Sequence, residues 1–283
     1  MQPDPRFLNQ SDVFWAYVRA VGEQHGYSIR GKSRVKAPDE QALDRTAKKL
    51  GIPNTRIRAS QGLTNLGASL LDYFQYRAEA LNSHVEQHLM DVDEASELYG
   101  SMLARLKPDC PQPMNKQKGE KKAPAYFTGL INMLIEDATD GTECDYDPKQ
   151  LTKITDDAGL VGTLARRIDG AYRSVIDPIA IWEIKEYYYT TTFGSRVAGG
   201  IYETLLDGME LKNLASVSEK RVAHYFFLDS HRTWWGKGRS YLCRLVDLMH
   251  MGYVDEVIFG REILDRIPAL VGEWTEEAHS RKM

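Results

Sequence analysis

Residues 169–189 read DGAYRSVIDPIAIWEIKEYYY, and the way this stretch folds decides how the rest of the chain is read. An acid opens it, Asp177-Pro178 marks a turn, and the apolar run Ile179–Trp182 leads into Glu183-Ile184-Lys185. Short apolar, β-rich segments on either side of an Asp-Pro pair predict a β-hairpin. On a strand, residues i and i+2 share a face about 7 Å apart, so Glu183 and Lys185 project together. A turn centred between Ile176 and Asp177 sets Asp169 opposite Ile184, beside Glu183 and Lys185 across the ladder. Two carboxylates and a lysine then converge on one edge of a small sheet.

The elements around the hairpin follow from their periodicity. Tyr126–Ala138 reads as an amphipathic helix with Glu136 near its C-terminal end, and Leu151–Arg167 as partly helical. After the hairpin, Phe193–Leu206 reads as a helix whose Gly199-Gly200 pair allows close approach to a neighbour. Val222–Asp229 reads as a buried strand, Arg232–Arg239 as a loop with two tryptophans, Ser240–Met251 as an apolar helix and Val254–Phe259 as a further strand. Helix, hairpin, helix, strand, helix, strand predicts an α/β core with a mixed central sheet flanked by helices.

Upstream, Ser11 is placed to cap a helix over 12–24, and a second helix over 38–50 ends at Gly51. Residues 63–106 read as largely helical, with a distinct helix from about Asp93 to Leu106. The stretch 107–124, KPDCPQPMNKQKGEKKAP, holds four prolines and five lysines and reads as a linker. The expected organisation is a mostly helical, partly basic region over 1–106, the linker, and a core domain over 125–283.

Net charge is −4, but unevenly spread: residues 1–125 carry 18 Lys+Arg against 15 Asp+Glu, and residues 126–283 carry 18 against 25. The basic excess gathers where Arg30, Lys32, Arg34 and Lys36 alternate along the chain, and on one face if that segment is extended. Lys237 and Arg239 add a second basic loop. The ordinary reading of both is solvated charge, and the functional one is a surface for nucleic-acid phosphates. No apolar run approaches the ~20 residues of a membrane-spanning helix. Cys110, Cys144 and Cys243 are too scattered for a disulfide framework, which suits a reducing cytoplasm. Gly236–Ser240 lacks the earlier glycine of a phosphate-binding loop, and no dinucleotide or nucleophile-elbow motif occurs.

A carboxylate pair with a lysine suits a hard divalent cation, which takes oxygen ligands and keeps water that the lysine can orient. Asp169-Gly170, followed thirteen residues on by Glu183-Ile184-Lys185 after an apolar strand, resembles the PD-(D/E)XK nuclease superfamily. The order of elements over roughly 126–260 is similar too. Ile168 rather than proline precedes Asp169, and Asp177 is the acid beside a proline. Spacing selects Asp169, because Asp177 lies six residues before Glu183 at the far end of the hairpin. The resemblance implies a restriction-endonuclease-like core that hydrolyses double-stranded DNA, as a type II restriction enzyme does, in the form of a homodimer. It implies Mg²⁺ held by Asp169, Glu183 and the Ile184 carbonyl, a water positioned by Lys185, and Glu136 joining the acidic cluster. A repair, phage or defence nuclease is the alternative among enzymes. A binding module for DNA or protein, with Glu183 and Lys185 in an ordinary salt bridge, is the alternative outside them.

Overall fold

Helix ends form where side chains take up the free backbone amides, and the first helices of this chain start that way. The computed structural model describes residues 1–283 apart from 30, 118–119, 140–143, 190–193, 219 and 282–283, with the backbone alone at 116–117 and 120–122. Helix α1 (Asp12–His25) is capped by Ser11, and α2 (Glu40–Leu50) by Asp39, whose carboxylate accepts from the Ala42 amide at 2.7 Å. Gly51 closes α2 at φ 64°. The small hairpin β1 (Arg58–Ala59) and β2 (Gly62–Leu63) leads into α3 (Asn65–Glu79). That helix runs on through a π-helical turn, Ala80–Val85, into α4 (Glu86–His88). A reciprocal Asp91–Glu94 capping box then starts α5 (Val92–Leu106).

Next come a hairpin of β3 (Met114–Gln117) and β4 (Glu120–Pro124), helix α6 (Tyr126–Thr139) and strand β5 (Cys144–Tyr146). A second hairpin, β6 (Lys153–Asp156) and β7 (Gly159–Thr163), precedes β8 (Gly170–Tyr172) and β9 (Ala180–Glu186). The chain finishes with α7 (Ser195–Ala215), β10 (Ala223–Asp229), a π-helical segment (His231–Lys237), α8 (Arg239–His250), β11 (Glu256–Phe259) and α9 (Ile263–Ser280). The five-stranded sheet has the order β11-β10-β9-β8-β5. Strands β9, β10 and β11 are parallel, whereas β8 and β5 run antiparallel to their neighbours. The sheet is therefore mixed and the architecture α/β, as expected.

Strand β9 is buried on both faces, which is why Ile179–Trp182 reads as an unbroken apolar run. Ala180, Trp182 and Ile184 face a core shared with α5, α6 and α9, where Trp182 stacks on Trp274 with centroids 5.6 Å apart. Ile181 faces the other way, with Ala171 and Leu211. Phe226 and Leu228 of β10 share that second side with Val197 and Ile201 of α7 and the apolar face of α8. The N-terminal helices form their own aromatic core around Phe14, Trp15, Tyr73 and Phe74. They join α8 through a buried ion pair: Arg77 Nη1 donates to both oxygens of Asp247 at 2.8 and 2.9 Å, and the Tyr73 hydroxyl to Oδ1 at 2.5 Å.

Five sequence expectations change. The hairpin register has Gly170 opposite Trp182 and Ala171 opposite Ile181, so Asp169 faces Glu183 rather than Ile184. Its connection is a seven-residue loop, not a tight turn, because Asp177 is drawn away to accept from the Thr155 amide at 2.8 Å and to pair with Lys220 at 3.0 Å. Leu151–Arg167, expected to be partly helical, is the β6–β7 hairpin: Asp156 accepts from Ala158 and Gly159, and Gly159 turns at φ 129°. The expected linker carries β3 and β4 and is pinned to the core by buried Cys110 and by Asn132 donating to the Pro111 carbonyl at 2.9 Å. The expected loop at Arg232–Arg239 is mostly π-helical, with Trp234 and Trp235 fully buried. Of the helix expected over Phe193–Leu206, Phe193 lies outside the described residues.

Asp229 ties the end of β10 to the α4–α5 junction. Its Oδ1 accepts from the amides of Met90 (2.8 Å) and Ser230 (2.7 Å), and Oδ2 meets the Tyr188 hydroxyl. Burial pushes this carboxyl up to about 7, against the pull of those donors. Between roughly pH 4 and 7 the folded chain thus keeps a proton that the unfolded chain has lost, so stability from this group falls as pH rises across that window. Urea unfolding of wild type and Asp229→Asn at about pH 5 and about pH 7.5 is expected to show the difference moving in the variant's favour at the higher pH by roughly 2 kcal/mol. An equal difference at both pH values would remove Asp229 as the source.

A candidate active site on strand β9

Period-two alternation decides which side chains meet. Glu183 and Lys185 leave β9 on the face of Ile181, toward α7, and Asp169 enters the same face from the start of β8. The Asp169 amide extends the ladder by donating to the Trp182 carbonyl at 3.2 Å. Its carboxylate Oδ2 accepts from the Ile184 amide at 2.7 Å and lies 3.9 Å from Lys185 Nζ. Lys185 Nζ donates to Glu183 Oε2 at 2.6 Å and lies 3.4 Å from Glu203 on α7. The structure brings Asp169, Glu183 and Lys185 together, with Ile184 contributing its backbone between them.

Three residues that the sequence reading passed over complete the cluster. Arg166, from the segment before β8, donates to Glu183 Oε1 at 2.7 Å and to Asp207 Oδ2 at 2.6 Å, and stands 3.6 Å from Glu203. Glu203 and Asp207 sit four residues apart on α7, on the side led by Gly200. A Cβ at Gly200 would come within 3.2 Å of Lys185 Cε and 3.3 Å of the Tyr187 hydroxyl, so this glycine lets the lysine stem lie along the helix. The signal was present in the Gly199-Gly200 pair and the following acids, but only the packing of α7 onto β9 gives it meaning.

The charges divide between a closed interior and an open rim. Glu183 and Asp207 have no exposed side-chain surface, whereas Asp169 and Glu203 are 42% and 46% exposed. Desolvation of its inner side, and then the neighbouring Glu183, push Asp169 up to about 6, against Lys185 and the Ile184 amide. Burial would raise Glu183 as well, yet Lys185 and Arg166 hold it below the ordinary carboxylate value. Burial opposes the charge on Lys185, and the two carboxylates overcome it and keep the ammonium protonated. Asp207 is pushed up to about 7 by burial despite Arg166, and its Oδ1 is buried without a hydrogen bond.

Glu136 does not join this cluster. Helix α6 packs on the opposite face of β9, with Trp182 and Ile184, and the Glu136 carboxylate accepts from the Asp109 amide at 3.1 Å. The acid that reaches α6 is Glu186, which accepts from the Thr128 amide at 3.1 Å and from Asn115 at 2.7 Å.

The basic residues do not form the expected extended face. The backbone turns back between Ser28 and Val35, and the Asn82 side chain clamps Val35 from both sides at 2.8 Å. Lys32 and Arg34 are exposed, Lys36 is half-buried, and Arg30 lies outside the described residues. A cavity of about 590 Å³ opens beside this turn, lined by Arg34, Lys36 and Glu79 among others, rather than at the carboxylates. Arg239 reaches Ser33 Oγ at 3.4 Å and donates to the Trp235 carbonyl at 2.5 Å, which joins the two basic segments. Trp234 Nε1 in turn donates to the Lys185 carbonyl at 3.3 Å, linking the basic surface to the end of β9. Lys237 is exposed on the same segment. No helix among the described residues is long and apolar enough to cross a membrane.

Comparison with known proteins gives two matches to family models. The domain of unknown function DUF7690 matches residues 1–84, and the domain of unknown function DUF7687 matches residues 90–274, well over half of the chain. The chain belongs to the DUF7687 family. No curated protein and no solved structure matches it.

Taking Arg166 away strands the buried carboxylates of Glu183 and Asp207. Arg166→Ala is expected to lower the unfolding free energy by roughly 3 kcal/mol in urea titrations, the scale for breaking a buried pair. In an Asp207→Asn background the same change is expected to cost at least ~1 kcal/mol less, since one of the two carboxyl groups left without its partner is gone. Equal losses in both backgrounds would mean that the side chains do not act as one network.

Proposed function

We propose that this DUF7687 family member is a Mg²⁺-dependent endonuclease of double-stranded DNA, of the restriction type. The observation that carries the reading is the meeting of Asp169, Glu183 and Lys185 on one face of β9, with the Ile184 amide fixing the Asp169 carboxylate. A nuclease has to gather negative charge for a metal and keep a cation beside it for the phosphate, and this cluster does both. The donors fit Mg²⁺: both acids offer oxygen, their proximity disfavours two bare charges, and the Asp169 rim is open to solvent. Asp169, Glu183 and the Ile184 carbonyl would hold the ion, which when bound supplies a Lewis acid and an activated water.

The chain's own groups do the rest. Lys185 is held protonated, so it acts by donation: it orients the attacking water and offsets charge growing on the phosphate oxygens. Attack of the water oxygen on phosphorus breaks the bond to the 3′-oxygen and leaves a 5′-phosphate and a 3′-hydroxyl. Arg166 keeps Glu183 ionised and aimed from behind. The exposed Lys32, Arg34 and Lys237 supply contacts to the DNA backbone, while Arg239 uses its Nη1 to hold the two basic segments together. A homodimer suits a palindromic site, because both then share a twofold axis.

Incubation with plasmid DNA and Mg²⁺ is expected to yield discrete fragments, abolished by EDTA, and Glu183→Ala and Lys185→Ala are each expected to lower the rate by at least ~10²-fold. Nicking or smearing in place of discrete fragments would point to a repair, phage or defence nuclease. Intact DNA with wild type and variants alike would leave a binding module and end the catalytic reading. In gel shifts, Lys32→Ala and Lys237→Ala should weaken binding across sequences and each reduce the salt slope by about 1. An unchanged slope would move the DNA surface elsewhere.

A further inference from the structure

We propose that His84, His88 and Glu262 form a binding site for a transition-metal ion of the Zn²⁺ class, distinct from the carboxylate cluster on β9. His84 lies in the π-helical turn after α3, and His88 four residues on ends α4, so the two rings leave the same side of the helix. Their centroids are 4.6 Å apart. Glu262 arrives from the 3₁₀ turn Gly260–Glu262 that follows β11. One ligand atom from each of the three lies within 4.8 Å of the other two. Two imidazoles and a carboxylate are a donor set for Zn²⁺ and its late first-row neighbours, whereas Mg²⁺ takes oxygen alone.

The ligands are oriented before any ion arrives. A carbonyl only accepts, so the 2.7 Å contact of His88 Nδ1 with the His84 carbonyl makes Nδ1 the protonated nitrogen and leaves the Nε2 lone pair for a metal. Glu262 Oε2 accepts from the Phe259 amide at 2.8 Å, and Oε1 meets His84 Nε2. A metal would replace the proton shared by those last two atoms and spread them to about 3.3 Å, the separation of two ligands some 2.0–2.1 Å from a tetrahedral ion. The backbones that carry the ligands are already in contact. Gly260 sits at φ 44°, and a Cβ there would stand 2.1 Å from the His88 carbonyl oxygen.

Neighbouring cations do not fill the site. Arg261 is paired with Glu94 at 2.7 Å, and Arg266 is bound by both oxygens of Glu256 at 2.8 Å. The Met1 amine lies 3.6 Å from Glu262 Oε2, and is shared with Glu256 and the Val257 carbonyl. The three ligands border a surface cavity of about 550 Å³ that Asp265 also lines, which leaves room for water or that carboxylate in a fourth position. His84 is the last residue of the DUF7690 match, and Glu262 lies inside the DUF7687 match. A bound ion would therefore clip the N-terminal helices to the β11–α9 junction.

Calorimetric titration of the full chain with ZnCl₂, in excess Mg²⁺ so that oxygen-only sites are filled, tests this without reference to cleavage. One equivalent of uptake is expected, and His84→Ala and His88→Ala are each expected to weaken it at least ~10-fold. Co²⁺ in the same site should give the ligand-field absorption of a four- or five-coordinate ion, lost in His88→Ala. Metal-free circular dichroism and melting of that variant, with His88→Gln beside it, separate ligand loss from misfolding. No uptake by wild type, or uptake that neither histidine substitution weakens, would overturn the proposal and leave His84–Glu262 a simple salt bridge.

Discussion

A carboxylate with no exposed surface is costly unless cations meet it, and Glu183 is such a group. Lys185 at 2.6 Å and Arg166 at 2.7 Å hold one oxygen each, and they come from different places: the same strand two residues on, and the segment before β8. Keeping Glu183 ionised therefore requires β8 and β9 to be paired in one register and α7 to be seated on them. Asp207 receives the second hydrogen bond of Arg166, so helix, strand and loop share one charge network. Because removal of any partner leaves a buried ionisable group short of a counter-ion, the network specifies the arrangement of the elements as well as stabilising it.

The sheet supplies the rigidity this network needs. Trp182 and Ile184 point into the core with α5, α6 and α9, so the side chains between them are presented to the opposite face with little freedom. Gly200 permits α7 to approach closely enough for the Lys185 stem to run along it. The N-terminal helices are joined to α8 by the Arg77–Asp247 pair, and the 28–36 turn reaches Arg239 and through Trp234 the backbone of Lys185. Two chemically different clusters result. One is an acid–lysine–arginine group suited to hard cations and phosphate, and the other is an imidazole–carboxylate group at the junction of the two family segments.

How much could be read in advance follows from the range of each interaction. Ser11 and Asp39 cap their helices by accepting from amides three residues on, and Gly51 by donating its own amide to the carbonyls of Ala47 and Lys48, so the end signals held. The helix α6, the β8–β9 pair, α7, β10, α8 and β11 follow in the expected order because apolar periodicity is local. Leu151–Arg167 was misread because a hairpin with Gly159 at its turn has too short an alternation to separate from a weak helix. The proline-rich stretch 107–124 was misread for a different reason: its few apolar and polar anchors, Cys110, Pro111 and Asn115, find partners far away in sequence.

Residue types and their spacing along β9 determined by themselves that Glu183 and Lys185 share a face, since a strand alternates side chains with a period of two. They also determined an α/β core, whose buried parallel strand shows as an apolar run. Only the tertiary structure decided which acids join them. A single-residue change in register carries Asp169 from the level of Ile184 to that of Glu183, and therefore onto its face. Glu136 falls on the other side of the sheet, and Arg166, Glu203 and Asp207 arrive through the packing of a loop and a helix. Those contacts span from 17 to 41 residues, where no local periodicity reports which side chains will meet.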